Sequence, residues 1–382
     1  MKALLLSIIS FLVCFMLNAQ DIMFIDITKA KYGEIPADRI FSEIKYVPLE
    51  THKDGLFYAG INPSYYLTEK YIIATDVKCQ AYLFDRETGA FIREISSRGQ
   101  GPNEYIGGFV RVYGYDEKNK ILFERGNSIS WKCFNIETNK VEYTIKKPVP
   151  ENNDVFYTDA CPWLIKDSIY VSFVNNKTGK DKVKLIVYDR EGSIIKKYPN
   201  YLEYKRTEFN FTTSNPGIFY YFNKQTYFKE WSFNDTVFRV NDKDITSHII
   251  FKLGNKQPSY YNRQDPPNYN KGKYFITFVY ESNSFVLFNF SHTSGMHTGY
   301  YDKKNKQVYI STTNDLKKSG YLAVGLPVNF CPIFVNSNNE MIAHINPEEL
   351  VKNKDKIDSK YKHLFQNLQE EDNPIVIIAK LK

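Results

Sequence analysis

The stretch "AYLFDRETGAFIREI", Ala81 to Ile95, decides the fold. Two apolar-aromatic runs flank a polar centre of Asp, Arg, Glu, Thr and Gly, a composition that lets a chain reverse between two strands. On the flanks apolar and polar residues alternate, so each strand buries one face. The same unit recurs as "SWKCFNIETNKVEYTI" (130–145), "KLIVYDREGSIIKKY" (184–198), "YYDKKNKQVYIS" (300–311) and "IFVNSNNEMIAHI" (333–345). Hairpins repeated at intervals of tens of residues point to a β-propeller or a sandwich array.

Composition agrees. Of 382 residues 43% are hydrophobic and 16% aromatic, with 30 Tyr and 28 Phe, a mixture that suits half-buried strands. Six blades would take about 60 residues each, more than compact repeats need, so the surplus falls in loops. The formal charge of +7 is mild for this length, and the basic residues form no block. That argues against a nucleic-acid partner.

The first nineteen residues stand apart. Lys2 precedes an apolar run from Ala3 to Leu17, and "LNA" precedes Gln20. This is the layout of a signal peptide over 1–19, cleaved after Ala19, with the propeller occupying 20–382. No other apolar stretch approaches membrane length, so no transmembrane span is expected. The mature chain is expected to be exported, to the periplasm or beyond. Phe11, Leu12 and Val13 precede Cys14 where a lipid-attachment site wants small residues, which disfavours a lipid anchor. Cys79, Cys133, Cys161 and Cys331 match no metal or redox spacing. They read as small buried hydrophobes or as one or two disulfides of unassigned pairing.

One region carries a helical pattern, "NPEELVKNKDKIDSKYKHLFQNL" (346–368). Asn346 is placed to cap it, Pro347 suits its first turn, and Glu349 completes a capping box. Leu350, Ile357, Tyr361, Leu364 and Leu368 form a sparse apolar stripe. It either lies on the propeller or docks a partner, such as an outer-membrane system. The terminal run Ile375–Ile378 and the alternating "DIMFIDI" (21–27) are both strand candidates. Pairing them in one blade would close the ring and remove its open edge.

Several segments occur in a telling order: "IKYVPLET" (44–51), the 81–95 hairpin leading into "RGQGPNEY" (98–105), "FNDTVFRV" (233–240) and "DNPIVIIAKLK" (372–382). Together they resemble the exported six-bladed β-propeller family of Bacteroidetes, related in style to NHL-type propellers. The resemblance spans nearly the whole mature chain. Its most specific element is R-G-x-G-P-x-E-Y, here Arg98, Gly99, Gly101, Pro102, Glu104 and Tyr105. Asn103 stands where relatives often have Gly. The resemblance implies the fold, an all-β six-bladed propeller with one C-terminal amphipathic helix in its last blade. It also implies export, and no established activity.

The 96–108 loop fails as a nucleotide site. Glu104 stands where G-x-G-x-x-G needs its third glycine, no helix follows, and no Gly-Lys-Ser/Thr is present. A structural crossover is the alternative, with Gly99 and Gly101 free to adopt positive φ and Arg98 and Glu104 placed to pair. An anion nest beside Arg98 is the functional version. "HTSGMH" (292–297) lacks helical zinc spacing, and no G-x-S-x-G occurs. No metal or cofactor is therefore expected. Carboxylate pairs drawn from different blades stay open, because sequence spacing does not reveal them. The tyrosine-rich segments "SYYLTEKY" (64–71), "IFYYFNKQTYF" (218–228) and "PSYYNRQDPPNYNKGKYF" (258–275) are the best binding candidates. The ligand candidates are accordingly Arg98, Glu104, Tyr105, Tyr260, Tyr261 and Tyr269. The expected function is a binding or scaffold module for a glycan or protein at one propeller face. A lyase or hydrolase at the channel mouth is the alternative.

Overall fold

Each hairpin becomes half of a four-stranded antiparallel blade, and six such blades form a ring. The computed structural model describes residues 22–33, 35, 37–56, 64–76, 80–105, 114–127, 129–149, 161–206, 217–263, 271–292, 295–311, 322–323, 326, 329–330 and 332–382. The first blade comprises Ser64–Leu67, Tyr71–Thr75, Ala81–Asp85 and Phe91–Ile95. The second comprises Gly114–Asp116, Ile121–Asn127, Ser130–Asn135 and Lys140–Lys146. The third is Trp163–Lys166, Ile169–Phe173, Val183–Asp189 and Ile194–Pro199. The fourth is Gly217–Phe222, Gln225–Glu230, Thr236–Val240 and Ile245–Lys252. The fifth is Phe275–Glu281, Phe285–His292, Gly295–Asp302 and Gln307–Ser311. The sixth combines Phe334–Val335, Glu340–Ile345 and Ile375–Leu381 with Phe41–Pro48 from the other end of the chain.

The decisive hairpin shows how a turn is set. Asp85 accepts the amides of Glu87 and Thr88 through one carboxylate oxygen, at 3.0 and 2.8 Å. Those bonds hold its carboxyl below the usual range. Gly89 follows at φ 75°, a left-handed conformation that disfavours a side chain. Apolar faces of neighbouring blades then pack against each other. Phe84, Tyr65 and Ile342 fill the seam between the sixth and first blades, and Phe123, Trp131 and Tyr170 that between the second and third.

The sixth blade closes the ring by joining both chain ends, but not with the expected segment. Phe41–Pro48 pairs antiparallel with Ile375–Leu381. Met23–Asp26 instead runs parallel to Ile249–Lys252 as a fifth strand on the fourth blade. Lys31–Gly33 does the same beside Tyr309–Ser311 on the fifth. The N-terminal segment is therefore a belt that edges the fourth and fifth blades before it completes the sixth. Both 21–27 and 44–48 alternate, so local pattern does not choose between them. The partner does: Ile377 and Tyr46 share a core with the helical insert.

That insert lies where expected, in the last blade, but as two short helices, Pro347–Lys352 and Ser359–Lys362, with a 3-10 turn at Lys354–Lys356 between them. Asn346 makes no side-chain cap, while Asp358 caps the second helix by accepting Lys360 N at 3.1 Å. Leu350, Ile357 and Phe365 are buried against Phe41, Tyr46 and Ile375. Tyr361 meets the edge of Tyr46 at 4.9 Å between ring centroids. The stripe is thus spent within the blade, and it turns on Phe365 while Leu364 is exposed.

Antiparallel order gives the ring two different faces. The connections between blades and the hairpins between second and third strands share one face, called here the connection face. On the other face Glu117 of the second blade accepts the Ser337 amide of the sixth, at 2.9 Å. Those blades are not neighbours, so this contact reaches past the first blade across the channel mouth. No helix among the described residues is long and apolar enough to cross a membrane.

Candidate functional site

The Arg98–Tyr105 loop lies on the connection face, where the first blade hands over to the second. Ser97–Arg98 and Glu104–Tyr105 form a short parallel bridge. Between them the chain folds on itself: Glu104 accepts the Gly101 amide at 2.6 Å, and Gly99 N donates to Tyr105 O at 3.0 Å. The Lys132 ammonium donates to the carbonyls of Gly101, at 2.7 Å, and of Glu104. Asn103 accepts Val141 N at 3.0 Å, so its side chain ties the loop to the second blade. Tyr105 is buried and its hydroxyl donates to Gln80 at 2.8 Å. The expected positive φ falls on neither glycine but on Ser96, at 55°. Gly99 is needed for a different reason, since a Cβ there would lie 2.0 Å from Glu104 Oε2. No ion pair joins Arg98 to Glu104 among the described residues; Glu104 is turned onto the loop and Arg98 is exposed.

Beneath the loop, Ser96 Oγ donates to Glu124 at 2.9 Å. Burial pushes the Glu124 carboxyl up to about 8, against the smaller opposing effects of Ser96 and Lys132. Its Oε1 has no partner among the described residues. With no exposed surface, Glu124 braces the crossover and offers nothing to a ligand.

A second cluster on the connection face gathers buried charged groups. Glu230 ends the second strand of the fourth blade, and Lys184 opens the third strand of the third blade, so antiparallel order brings both to the same face. They form a buried ion pair across the seam. Burial opposes ionisation of Glu230, but Lys184 and Asn234 hold its carboxyl below the usual range. Lys229, fully buried beside it, donates to the carbonyls of Glu230, Asn234 and Ile276. Desolvation pushes its ammonium down to about 7.

Arg263 completes the cluster. Its guanidinium lies 3.7 Å from the Tyr204 ring centroid and 4.9 Å from that of Tyr260. Nη2 donates to Asn176 O at 2.9 Å, while Nε meets no acceptor among the described residues. The Tyr260 hydroxyl faces Glu230 and Asn176. Lys184 and Arg263 thus share one buried carboxylate, with Lys229 and half-buried Asp235 beside them. Two exposed rings rise from the adjoining segments, Tyr201 at 85% and Tyr261 at 58% exposure.

The sequence candidates therefore fall into two groups. Arg98, Glu104 and Tyr105 belong to the crossover between the first and second blades. Tyr260 and Tyr261 belong to the seam of the third and fourth, buried and exposed respectively. Tyr269 lies outside the described residues, as do Cys79 and Cys331. Cys133 and Cys161 are free thiols. Lys184, Glu230 and Arg263 escaped the sequence reading, although "TYFKEW" (226–231) carries the signal, adjacent opposite charges inside an apolar strand.

On the opposite face Glu281 is bonded to His248 Nε2 at 2.7 Å, to Lys303 at 2.7 Å and to Tyr220 at 3.2 Å. His297 stacks on Phe290 at 5.2 Å, and burial lowers its pKa.

The chain is similar to a Bacteroides fragilis protein of known crystal structure, named for its inferred export. The two share a TM-score of 0.67 and 19% identity over 94% of this chain and all of that one, a likeness of fold. A computationally designed protein, Ika8, is more distant, at TM-score 0.37 and 11% identity over 79% of this chain and 71% of its own. No curated protein matches. A family model described as a domain of unknown function, DUF4934, matches residues 22–380, nearly the whole propeller. The chain belongs to the DUF4934 family.

Proposed function

We propose that the protein is an exported binding module that takes a glycan on its connection face, at the seam of the third and fourth blades. Residues 1–19 act as its signal peptide, and it works in the periplasm or outside the cell. One observation carries the reading: exposed Tyr201 and Tyr261 lie on segments adjoining a buried polar cluster in which Arg263 Nε has no acceptor among the described residues. Flat rings at a surface stack on sugar rings, and polar groups at the base fix their orientation. The similar B. fragilis protein, named for its inferred export, supports the location.

A protein partner is the second reading. It would use the same face, because the apolar stripe of the 347–362 insert is taken up inside the sixth blade. A glycan array probed with the purified chain and with Tyr261→Ala tests the proposal. Binding that weakens about tenfold in the variant is expected for a lost stacking anchor. Binding unchanged by the substitution would move the site elsewhere.

A further inference from the structure

We infer that this seam receives the carboxylate of an acidic sugar, and that Arg263 is the residue that reads it. The inference rests on the glycan reading above and adds the class of sugar.

Charge comes first. Lys184 and Arg263 face one buried carboxylate, Glu230, which Lys184 already pairs. A buried cation whose neighbouring carboxylate is already paired is costly to leave unpartnered, and an entering anion relieves that cost.

The donors already in use narrow the choice. Lys229 is spent on backbone carbonyls and Lys184 on Glu230. Arg263 is 8% exposed, and its Nε has no acceptor among the described residues. Stacking on Tyr204 and Tyr260 and the bond to Asn176 O fix the guanidinium plane. A planar guanidinium with an Nε left to pair matches a carboxylate in a way that an ammonium does not. Tyr261, next in sequence to Tyr260, supplies a ring face for the sugar itself.

The test uses one skeleton in two charge states. Calorimetry on the whole purified chain compares a hexamer of galacturonic acid with its methyl ester. The acid is expected to bind at least about tenfold tighter, with an advantage that shrinks as salt rises. Arg263→Gln should abolish the preference, and Arg263→Lys should restore only part of it. Tyr261→Ala should weaken acid and ester alike. The acid–ester comparison on the unaltered chain needs no variant to fold. Equal binding of acid and ester would overturn the acidic-sugar inference and leave the glycan reading standing. Binding of neither would overturn both.

Discussion

Lys184 and Glu230 form a buried ion pair that joins the third blade to the fourth. Removing either partner strands the other charge in the seam. Lys184→Met and Glu230→Gln should each cost about 3–5 kcal/mol, and the double variant less than their sum. Glu230 titrates below its unfolded value of about 4.3, so its contribution is present above that pH and is lost as pH falls through the folded value. Urea unfolding of the three variants from pH 7 to pH 3 measures both effects.

Lys229 gives a slope of the same sign at higher pH. Its folded pKa near 7 lies below the unfolded value of about 10.4, so the unfolded chain holds the extra proton between them. Stability should rise with pH across that interval. Lys229→Met should flatten the rise, as chemical denaturation at pH 7, 8.5 and 10 would show.

Glu124 should make the protein less stable as pH rises. Its folded pKa of about 8 lies above the unfolded value of about 4.3, so the native state holds the extra proton between them. Glu124→Gln keeps an acceptor for Ser96 and cannot ionise. It should stabilise the protein at pH 8 by about 1–3 kcal/mol and remove that part of the pH dependence.

The crossover loop predicts a coupling. Gly99→Ala places a methyl group on the Glu104 carboxylate and expels it from the Gly101 amide, at a cost of about 1–3 kcal/mol. Glu104→Ala breaks the same bond by another route. Gly99→Ala with Glu104→Ala should cost scarcely more than Glu104→Ala alone, which a thermal double-mutant cycle would read as strong coupling.

The N-terminal belt separates two kinds of strand. Deleting residues through Gly33 removes only the fifth strands of the fourth and fifth blades, so the ring should stay closed and unfold cooperatively at reduced stability. Deleting through Pro48 removes the closing strand and should abolish the single unfolding transition. Calorimetric scans of both truncations distinguish the outcomes.

Much of this fold is legible in the sequence, because strand period and turn chemistry are local. The 81–95 hairpin shows both, and its repeats lead to the six blades. Which strand closes the ring is not local, since Met23–Asp26 and Phe41–Pro48 carry similar patterns and differ only in distant partners. The 346–368 region shows helical residues, but Asp358 starts a new cap where the sparse stripe suggests continuity. At the site the tyrosines stand out as residue types. The charges beneath them do not, because Lys184, Glu230 and Arg263 come from different strands and connections and meet only when the blades pack. Arg98 and Glu104 suggest a pair by spacing, whereas the carboxylate finds the nearer Gly101 amide.

The central claim concerns place, and a crystal structure of the chain with the galacturonic acid hexamer bound tests it most directly. The account predicts a sugar carboxylate on the Arg263 guanidinium and a sugar ring over Tyr261, at the seam of the third and fourth blades. A hexamer seated beside Arg98, or on the face where Glu117 meets Ser337, would contradict it.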